Sequence, residues 1–416
     1  MSPDHYLVPY PQRGSLLGDE ELDALAEVVK SDLPLSGGVY RETFEQRFRD
    51  LIGTRHALSV TSGTVALSLA INLLDLRAGD EVIVTPQTYK ATIQPLLDLP
   101  VNVRFCDVDP NTLNADPASI ESLITRRTRA ILIVHYGGLP ADMDEIMRIA
   151  RAHDIRVIED CAHALGSVYR GRRPGALADI GCFSFHSSKN ITTLGEGGMV
   201  TVNDDEWGNR LDRMRSNDSD AVFVRSPRRI GERDGARPWM LHAGNSYTHS
   251  CLEVRYSGTN ATLPEPSAAV GIAQLGRLDR LVKRRRETAE RISAVLARFP
   301  FARLIPEPPD VLNAYHLYTF FLDPSAGLDR DLIVERLAER GVQFQLRYFP
   351  LHLLPEWRAR GHRLGECPVA EQMWFQQQIN VPCQPSLSEE QVNTLLDSLD
   401  AVLTEAASSG SALASQ

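Results

Sequence analysis

The sequence has no C-x-x-C pair and no Cys/His spacing of the kind that builds a zinc site. Its six cysteines (Cys106, Cys161, Cys182, Cys251, Cys367 and Cys383) are scattered along 416 residues. That excludes a disulfide framework and leads us to expect reduced thiols, no structural metal and a cytoplasmic location. No window reaches the roughly 18–20 apolar residues of a membrane span, and the opening MSPDHYLVPYPQRG lacks the apolar core of a signal peptide. A G-x-G-x-x-G turn after the first strand is also missing, which removes the signature of a nicotinamide-dinucleotide enzyme. Positive charge is not in excess, since the formal net charge is −10. The one basic run, Lys283-Arg284-Arg285-Arg286, lies in a helical stretch with acids nearby. It reads as a solvated helix face and not as a nucleic-acid surface.

What is present is an ordinary globular composition, 43% hydrophobic and 24% charged, with length enough for two domains. From about residue 55 to 205 short β-rich runs alternate with helical ones: HALSV, TVALSLAINLL, EVIVTP, a helix from about Tyr89, VNVRFCDVD, AILIVHY, DMDEIMRIARAHD, RVIED, IGCFSF and MVTVN. Strands separated by helix-length segments imply parallel βαβ crossovers and a sheet covered on both faces. We therefore expect an α/β fold with a large domain over 15–285 and a smaller C-terminal α+β domain over 286–405, with residues 1–14 packing on the latter. The small polar tail, 406–416, is expected to be disordered. Residues 217–256 are rich in breakers and arginines, with weak periodicity, and a long irregular stretch of this kind is either functional or mobile.

In open α/β sheets ligands bind beyond the carboxyl ends of the strands, so the residues just after each strand carry the functional information. After HALSV comes Thr61-Ser62-Gly63-Thr64, opening a helix; after EVIVTP comes Gln87-Thr88-Tyr89; after RVI comes Glu159-Asp160-Cys161-Ala162-His163; after IGCF come Ser184 and then Lys189, in FSFHSSKNITTLGEGG. Each alone has a plain reading: a helix cap, a packed ring, a local hydrogen-bonder, a flexible turn. Together they supply what pyridoxal phosphate needs: a lysine amine for the Schiff base, a carboxylate to keep the pyridine nitrogen protonated, backbone donors at a helix N-terminus for the phosphate, and a ring over one face.

The segments TSGTVAL, AGDEVIVTPQTYKAT, VHYGGLPADMDEI, VIEDCAHALGS, ADIGCFSFHSSKNITTLGEGGMV, AAVGIAQLGRLD and RYFPLH make the chain resemble the sugar aminotransferases of the DegT/DnrJ/EryC1/StrS group, over about residues 8–405. The resemblance implies fold type I of the pyridoxal phosphate enzymes, with a mostly parallel seven-stranded sheet between helices. It implies Lys189 as Schiff-base lysine and proton shuttle, Asp160 on the pyridinium nitrogen and His163 near the phenolic oxygen. Ser62, Gly63, Thr64 and Ser184 fall on the phosphate and Tyr89 over the ring. It further implies a homodimer with shared active sites, Asn260 reaching the partner's phosphate, L-glutamate or L-glutamine as donor, and a nucleotide-linked ketosugar or a ketocyclitol as acceptor.

Two departures stand out. Family members usually read N-Y-R where this chain has Asn260-Ala261-Thr262, and an additional Leu194 precedes GEGG. Some relatives are dehydratases with histidine in place of the lysine, and a regulatory, non-catalytic member would be marked by loss of Asp160 or Lys189. Both residues are present. Residues 217–256, carrying Arg225, Arg228, Arg229, Arg233, Trp239, His242 and Asn245, are expected to shape the acceptor pocket.

Overall fold

The computed structural model describes residues 6–216, 221–225, 250–254 and 258–413. The short apolar runs form strands β1 (His56–Val60), β2 (Glu81–Val84), β3 (Asn102–Phe105), β4 (Thr128–Val134), β5 (Arg156–Asp160), a two-residue β6 (Val168–Tyr169), β7 (Ile180–Ser184) and β8 (Gly198–Val202). All but β6 join one seven-stranded sheet in the order β1-β8-β7-β5-β4-β2-β3. Strands β2, β3, β4, β5 and β7 pair in parallel, while β8 is antiparallel to both β1 and β7. The exception follows from the connection. The connection from β7 to β8, residues 185–197, holds no helix and doubles back on itself, with Phe185 N bonded to Gly197 O at 2.8 Å, so the two strands meet antiparallel and not through a helical crossover. Helices cover both faces, which is why β8 is buried along its whole length and its sequence is apolar without strict alternation.

One expected helix is absent. The stretch from Tyr89 folds as two 3₁₀ turns, Lys90–Thr92 and Gln94–Asp98, closed by bonds from Thr92 N to Tyr89 O (3.1 Å) and Ile93 N to Lys90 O (3.2 Å). Pro95 has no N–H to bond back to Ala91, so the α-helical ladder cannot continue through it. The tight turns leave Thr88, Tyr89 and Thr92 on the wall of a cavity beyond β5.

Farther along, β9 (Ala221–Arg225) and β10 (Ser250–Val254) form an antiparallel ribbon; the rest of the arginine-rich stretch lies outside the described residues. The smaller sheet contains β11 (Ala302–Leu304), β13 (Tyr318–Leu322) and β14 (Gln378–Val381), antiparallel in the order β11-β13-β14. Between them β12 (Val311–Leu312) crosses to pair with β6 of the large domain.

Helix Leu278–Leu296 spans the sequence boundary expected at residue 285. Its first turns, at Leu278, Leu281 and Val282, pack with Phe44, Phe48, Phe183 and Phe185, whereas Ala289, Ile292 and Leu296 pack with Phe320 and Ile379 of the smaller sheet. One rigid element thus enters both cores. The basic run on it is not a uniformly solvated face: Lys283 and Arg284 are exposed, but Arg285 is fully buried. The last helix, Glu389–Leu413, extends into the stretch expected to be a disordered tail. Among the described residues no helix is long and apolar enough to cross a membrane.

Candidate active site

A cavity of about 530 Å³ opens where the carboxyl ends of β1, β5 and β7 meet the turns after β2. Ser62, Gly63, Thr64, Tyr89, Asp160, His163, Ser184 and Lys189 all line it. Asn260 does not. Its segment is fixed beside the end of β1, with Thr61 N donating to Ala261 O at 3.0 Å, and its side chain is exposed.

Helix Gly63–Leu73 begins at one end of the cavity, capped by Ser62, whose Oγ accepts from Val65 N at 3.2 Å. Its N-terminus offers backbone donors and the positive end of the helix dipole, the standard environment for a phosphate. The helix lies very close to β7: a Cβ on residue 63 would stand 2.7 Å from Ser184 Cβ. Only glycine permits that approach, which brings the Ser184 side chain and the helix N-terminus to the same corner.

At the other end Asp160 is buried. Its Oδ1 accepts from Ala162 N at 3.0 Å and its Oδ2 from Thr92 Oγ1 at 2.7 Å. Thr92 has a single hydroxyl proton, and the carboxylate is its strongest acceptor. Thr88 Oγ1, 2.7 Å away, then donates to Thr92, so the two threonines form a relay that orients Asp160.

Lys189 lies in the loop after β7, its N–H bonded to His186 O at 2.8 Å. Burial lowers its pKa from 10.5 to about 8, with the Arg347 guanidinium acting in the same sense and Asp160 opposing both. The additional Leu194 is absorbed within the following turn: it adopts φ +68° and is about half exposed, while Ser187 N to Gly195 O (2.9 Å) and Phe185 N to Gly197 O (2.8 Å) keep the loop closed.

His163 is buried and neutral near pH 7, because burial and then the charges of Lys189 and Arg347 hold its pKa well below the usual value. Its Nε2 lies 3.1 Å from Tyr348 OH, and its ring stacks on His316 with centroids 4.3 Å apart. Its Nδ1 has no hydrogen-bond partner among the described residues. In the wall of a cavity such an atom is open to a ligand or a water. The capped helix N-terminus, the glycine-enforced corner, the oriented carboxylate and this open imidazole nitrogen together fit a phosphorylated aromatic cofactor with a ring nitrogen and a phenolic oxygen.

Sequence reasoning did not assign Thr88, Thr92, His316, Arg347 or Tyr348. RYFPLH marked Arg347 and Tyr348 without a role, because they arrive from an irregular segment of the smaller domain and follow no strand. The Arg347 guanidinium lies against the rings of Tyr10 and Tyr348, at 5.4 and 6.0 Å from their centroids, and bonds the Gln345 side-chain oxygen. No acidic side chain forms an ion pair with it among the described residues.

A further cluster, His135, Glu159 and Cys161, has metal-ligand composition but its lone pairs are occupied. His135 Nδ1 accepts from Ala141 N at 3.1 Å, so its proton is on Nε2, which donates to Glu159 at 2.9 Å. The same carboxylate accepts from the N–H groups of Gly175, Leu177 and Ala178 at 3.0, 3.0 and 2.7 Å. The cluster is a hydrogen-bonded strut behind β5.

The DegT/DnrJ/EryC1/StrS aminotransferase family model matches residues 16–400. The spore coat polysaccharide biosynthesis protein SpsC of Bacillus subtilis is 32% identical over 399 residues, covering 95% of this chain and 97% of that protein. GDP-perosamine synthase of Caulobacter vibrioides is 32% identical over 390 residues, covering 93% and 96%. Among solved structures, the aminotransferase TlmJ from Streptoalloteichus hindustanus superposes with a TM-score of 0.82 at 29% identity, covering 95% of this chain and 99% of that one. The chain belongs to the DegT/DnrJ/EryC1/StrS aminotransferase family and is a pyridoxal-phosphate-dependent sugar aminotransferase.

Proposed function

We propose that the protein moves the amino group of L-glutamate or L-glutamine to a keto-sugar, either a nucleotide-linked ketosugar or a ketocyclitol, in amino-sugar or aminoglycoside-type biosynthesis. The observation that carries this reading is the presence of Lys189 and Asp160 in one cavity, with the lysine pKa held near 8. The relatives named for perosamine synthesis and spore coat polysaccharide synthesis support a sugar acceptor. The buried, unpaired thiols at Cys106, Cys161, Cys182, Cys367 and Cys383 suit a cytoplasmic enzyme.

In this reading the N–H groups of Gly63 and Thr64, with Ser62 and Ser184, hold the cofactor phosphate. Asp160, oriented by Thr92, would hold the ring nitrogen; His163 Nδ1 would hydrogen-bond the phenolic oxygen; and Tyr89 would cover one face. When bound, pyridoxal phosphate supplies the electron sink for the pair released as the donor's Cα–H bond breaks. Lys189 Nζ, as free base, accepts that proton, a positioned transfer of the kind that contributes about 10²–10⁴-fold.

The base must be unprotonated, so the donor half-reaction should rise with pH through the lysine pKa of about 8 and level off above it. Incubating the cofactor-loaded enzyme with glutamate or glutamine and a panel of ketosugars and ketocyclitols, then reading product mass, tests the reading. An aminated product, lost in Lys189→Ala, is expected; turnover undiminished in that variant contradicts it.

The guanidinium of Arg347, lining the cavity without an acidic partner among the described residues, is positioned to receive the donor's carboxylate. Arg347→Ala should raise the donor KM about 10–100-fold, the worth of one charge-assisted hydrogen-bonded pair, while the amination half-reaction stays near wild type. An unchanged donor KM assigns the carboxylate elsewhere.

The active unit in this reading is a homodimer with shared sites. Asn260 is exposed outside the chain's own cavity, and Leu22 and Val29 on helix Asp19–Lys30, Leu33 and Leu35 after it, and Val39 at the start of helix Val39–Ile52 expose aliphatic surface, more than scattered surface residues need. Mixing inactive Lys189→Ala and Asn260→Ala subunits under proven exchange should regenerate one intact site per hybrid dimer. No recovered activity places the whole site in one chain.

A further inference from the structure

The N-terminal segment touches both the smaller domain and the lysine loop. At one end Val8 is fully buried and bridges Val342 in parallel, with Val8 N to Gly341 O and Gln343 N to Val8 O both at 2.9 Å. Tyr10 N then donates to Gln343 Oε1 at 2.8 Å, and the Tyr10 ring packs against the Arg347 guanidinium. At the other end Gly14 N donates to Ser187 O at 2.8 Å. A Cβ on residue 14 would stand 2.0 Å from Ser188 O and 2.4 Å from Lys189 O, so the backbone there lies directly on the peptide that carries the lysine.

Two fully buried side chains hold this contact. Arg285 donates to Gly14 O at 2.5 Å and to Tyr315 O at 3.0 Å. Its two terminal nitrogens are thus bonded to main-chain carbonyls while Nε has no partner among the described residues, an expensive burial of charge whose visible result is the location of those carbonyls. Gln274 Oε1 accepts from Ser15 Oγ at 2.5 Å and from Thr192 N, in the lysine loop, at 3.3 Å. Its Nε2 donates to Leu16 O at 2.8 Å. The segment is stitched to the loop on both sides of Lys189.

We propose that residues 8–16 form a strap from the smaller domain that sets the position of Lys189, with Gly14 as the positioning residue bearing on the lysine's own peptide. The strap rests on the reading of Lys189 as the reacting amine, and it couples the site's two halves, since the same segment packs on Arg347 at Tyr10 and on the lysine loop at Gly14. The titratable and charged groups around the amine are Asp160 at the end of β5, His163 just after it with His316 stacked behind, Arg347 and Tyr348, Tyr89, and His186 and Glu196 of its own loop. Loosening the loop changes the lysine's distance from all of them and admits water to the amine.

The test is Gly14→Ala in the full-length holoenzyme. Amide exchange of residues 186–195 should accelerate about tenfold while β5 exchanges as in the wild type, the pattern of a local opening. The kcat should fall roughly 10²-fold, the cost of a displacement of about an ångström at a reacting group, with donor KM nearly unchanged. The acid limb of the pH–rate profile should move upward by about one unit, toward the ordinary lysine value. If Gly14→Ala does not fold, Gln274→Ala, which cuts the stitch to Ser15 and Thr192, carries the same readouts. Unchanged loop exchange, or acceleration spread evenly through β5, would overturn the strap. Faster loop exchange with unchanged kcat would uphold the strap and overturn the reading of Lys189 as the reacting amine.

Discussion

Everything around the cavity answers to one opposition, between the desolvation that lowers the pKa of the Lys189 amine to about 8 and the Asp160 carboxylate that raises it. Both groups line the same space. A carboxylate in contact with an ammonium forms a salt bridge that raises the lysine pKa and removes the free base. The chain avoids this by committing the carboxylate elsewhere: Asp160 is bonded to Ala162 N and Thr92 Oγ1. Arg347 adds a positive charge that opposes protonation of the amine. His163 lines the wall with His316 stacked behind it, and burial holds the pKa of both well below the usual value, so neither contributes a competing charge.

The sheet supplies the frame for this opposition. Strands β5 and β7 pair in parallel with Asp160 beside Cys182, so the carboxylate and the loop carrying the lysine leave the sheet at the same edge. The Phe44, Phe48, Phe183 and Phe185 cluster packs edge to face beneath β7, with ring centroids 4.8–6.1 Å apart, and Leu278, Leu281 and Val282 complete the same core. Helix Leu278–Leu296 carries that packing into the second core. The position of Arg347 and Tyr348, which come from the smaller domain, is thereby tied to that of Lys189.

Much of this was legible in the sequence because it depends on local pattern. The apolar runs marked all seven strands of the large sheet, and the residues at or within a few positions of the carboxyl ends of four of them brought Ser62, Gly63, Thr64, Tyr89, Asp160, His163, Ser184 and Lys189 together, as the cavity lining has them. What escaped was non-local or ambiguous. Thr92 supports Asp160 from 68 residues away, through a turn that reads as helix until Pro95 is weighed. Arg347 and Tyr348 reach the site only when two domains dock. Arg285 sits in a run of four cations and looks solvated, because its acceptors, Gly14 O and Tyr315 O, are main-chain atoms that leave no trace in composition. The Asn260 expectation concerns a second chain, and most of residues 217–256 lies outside the described residues.

The central claim is that Lys189, and no other amine, carries the cofactor. The chain has only four lysines, Lys30, Lys90, Lys189 and Lys283, which makes a direct measurement clean. Borohydride reduction of the pyridoxal-phosphate-loaded protein fixes the cofactor to the amine that holds it, and peptide mass spectrometry then locates it. The account predicts the added mass on the peptide containing Lys189 alone. The mass on Lys90, the other lysine of the turns around the cavity, or on Lys30 or Lys283, would contradict it.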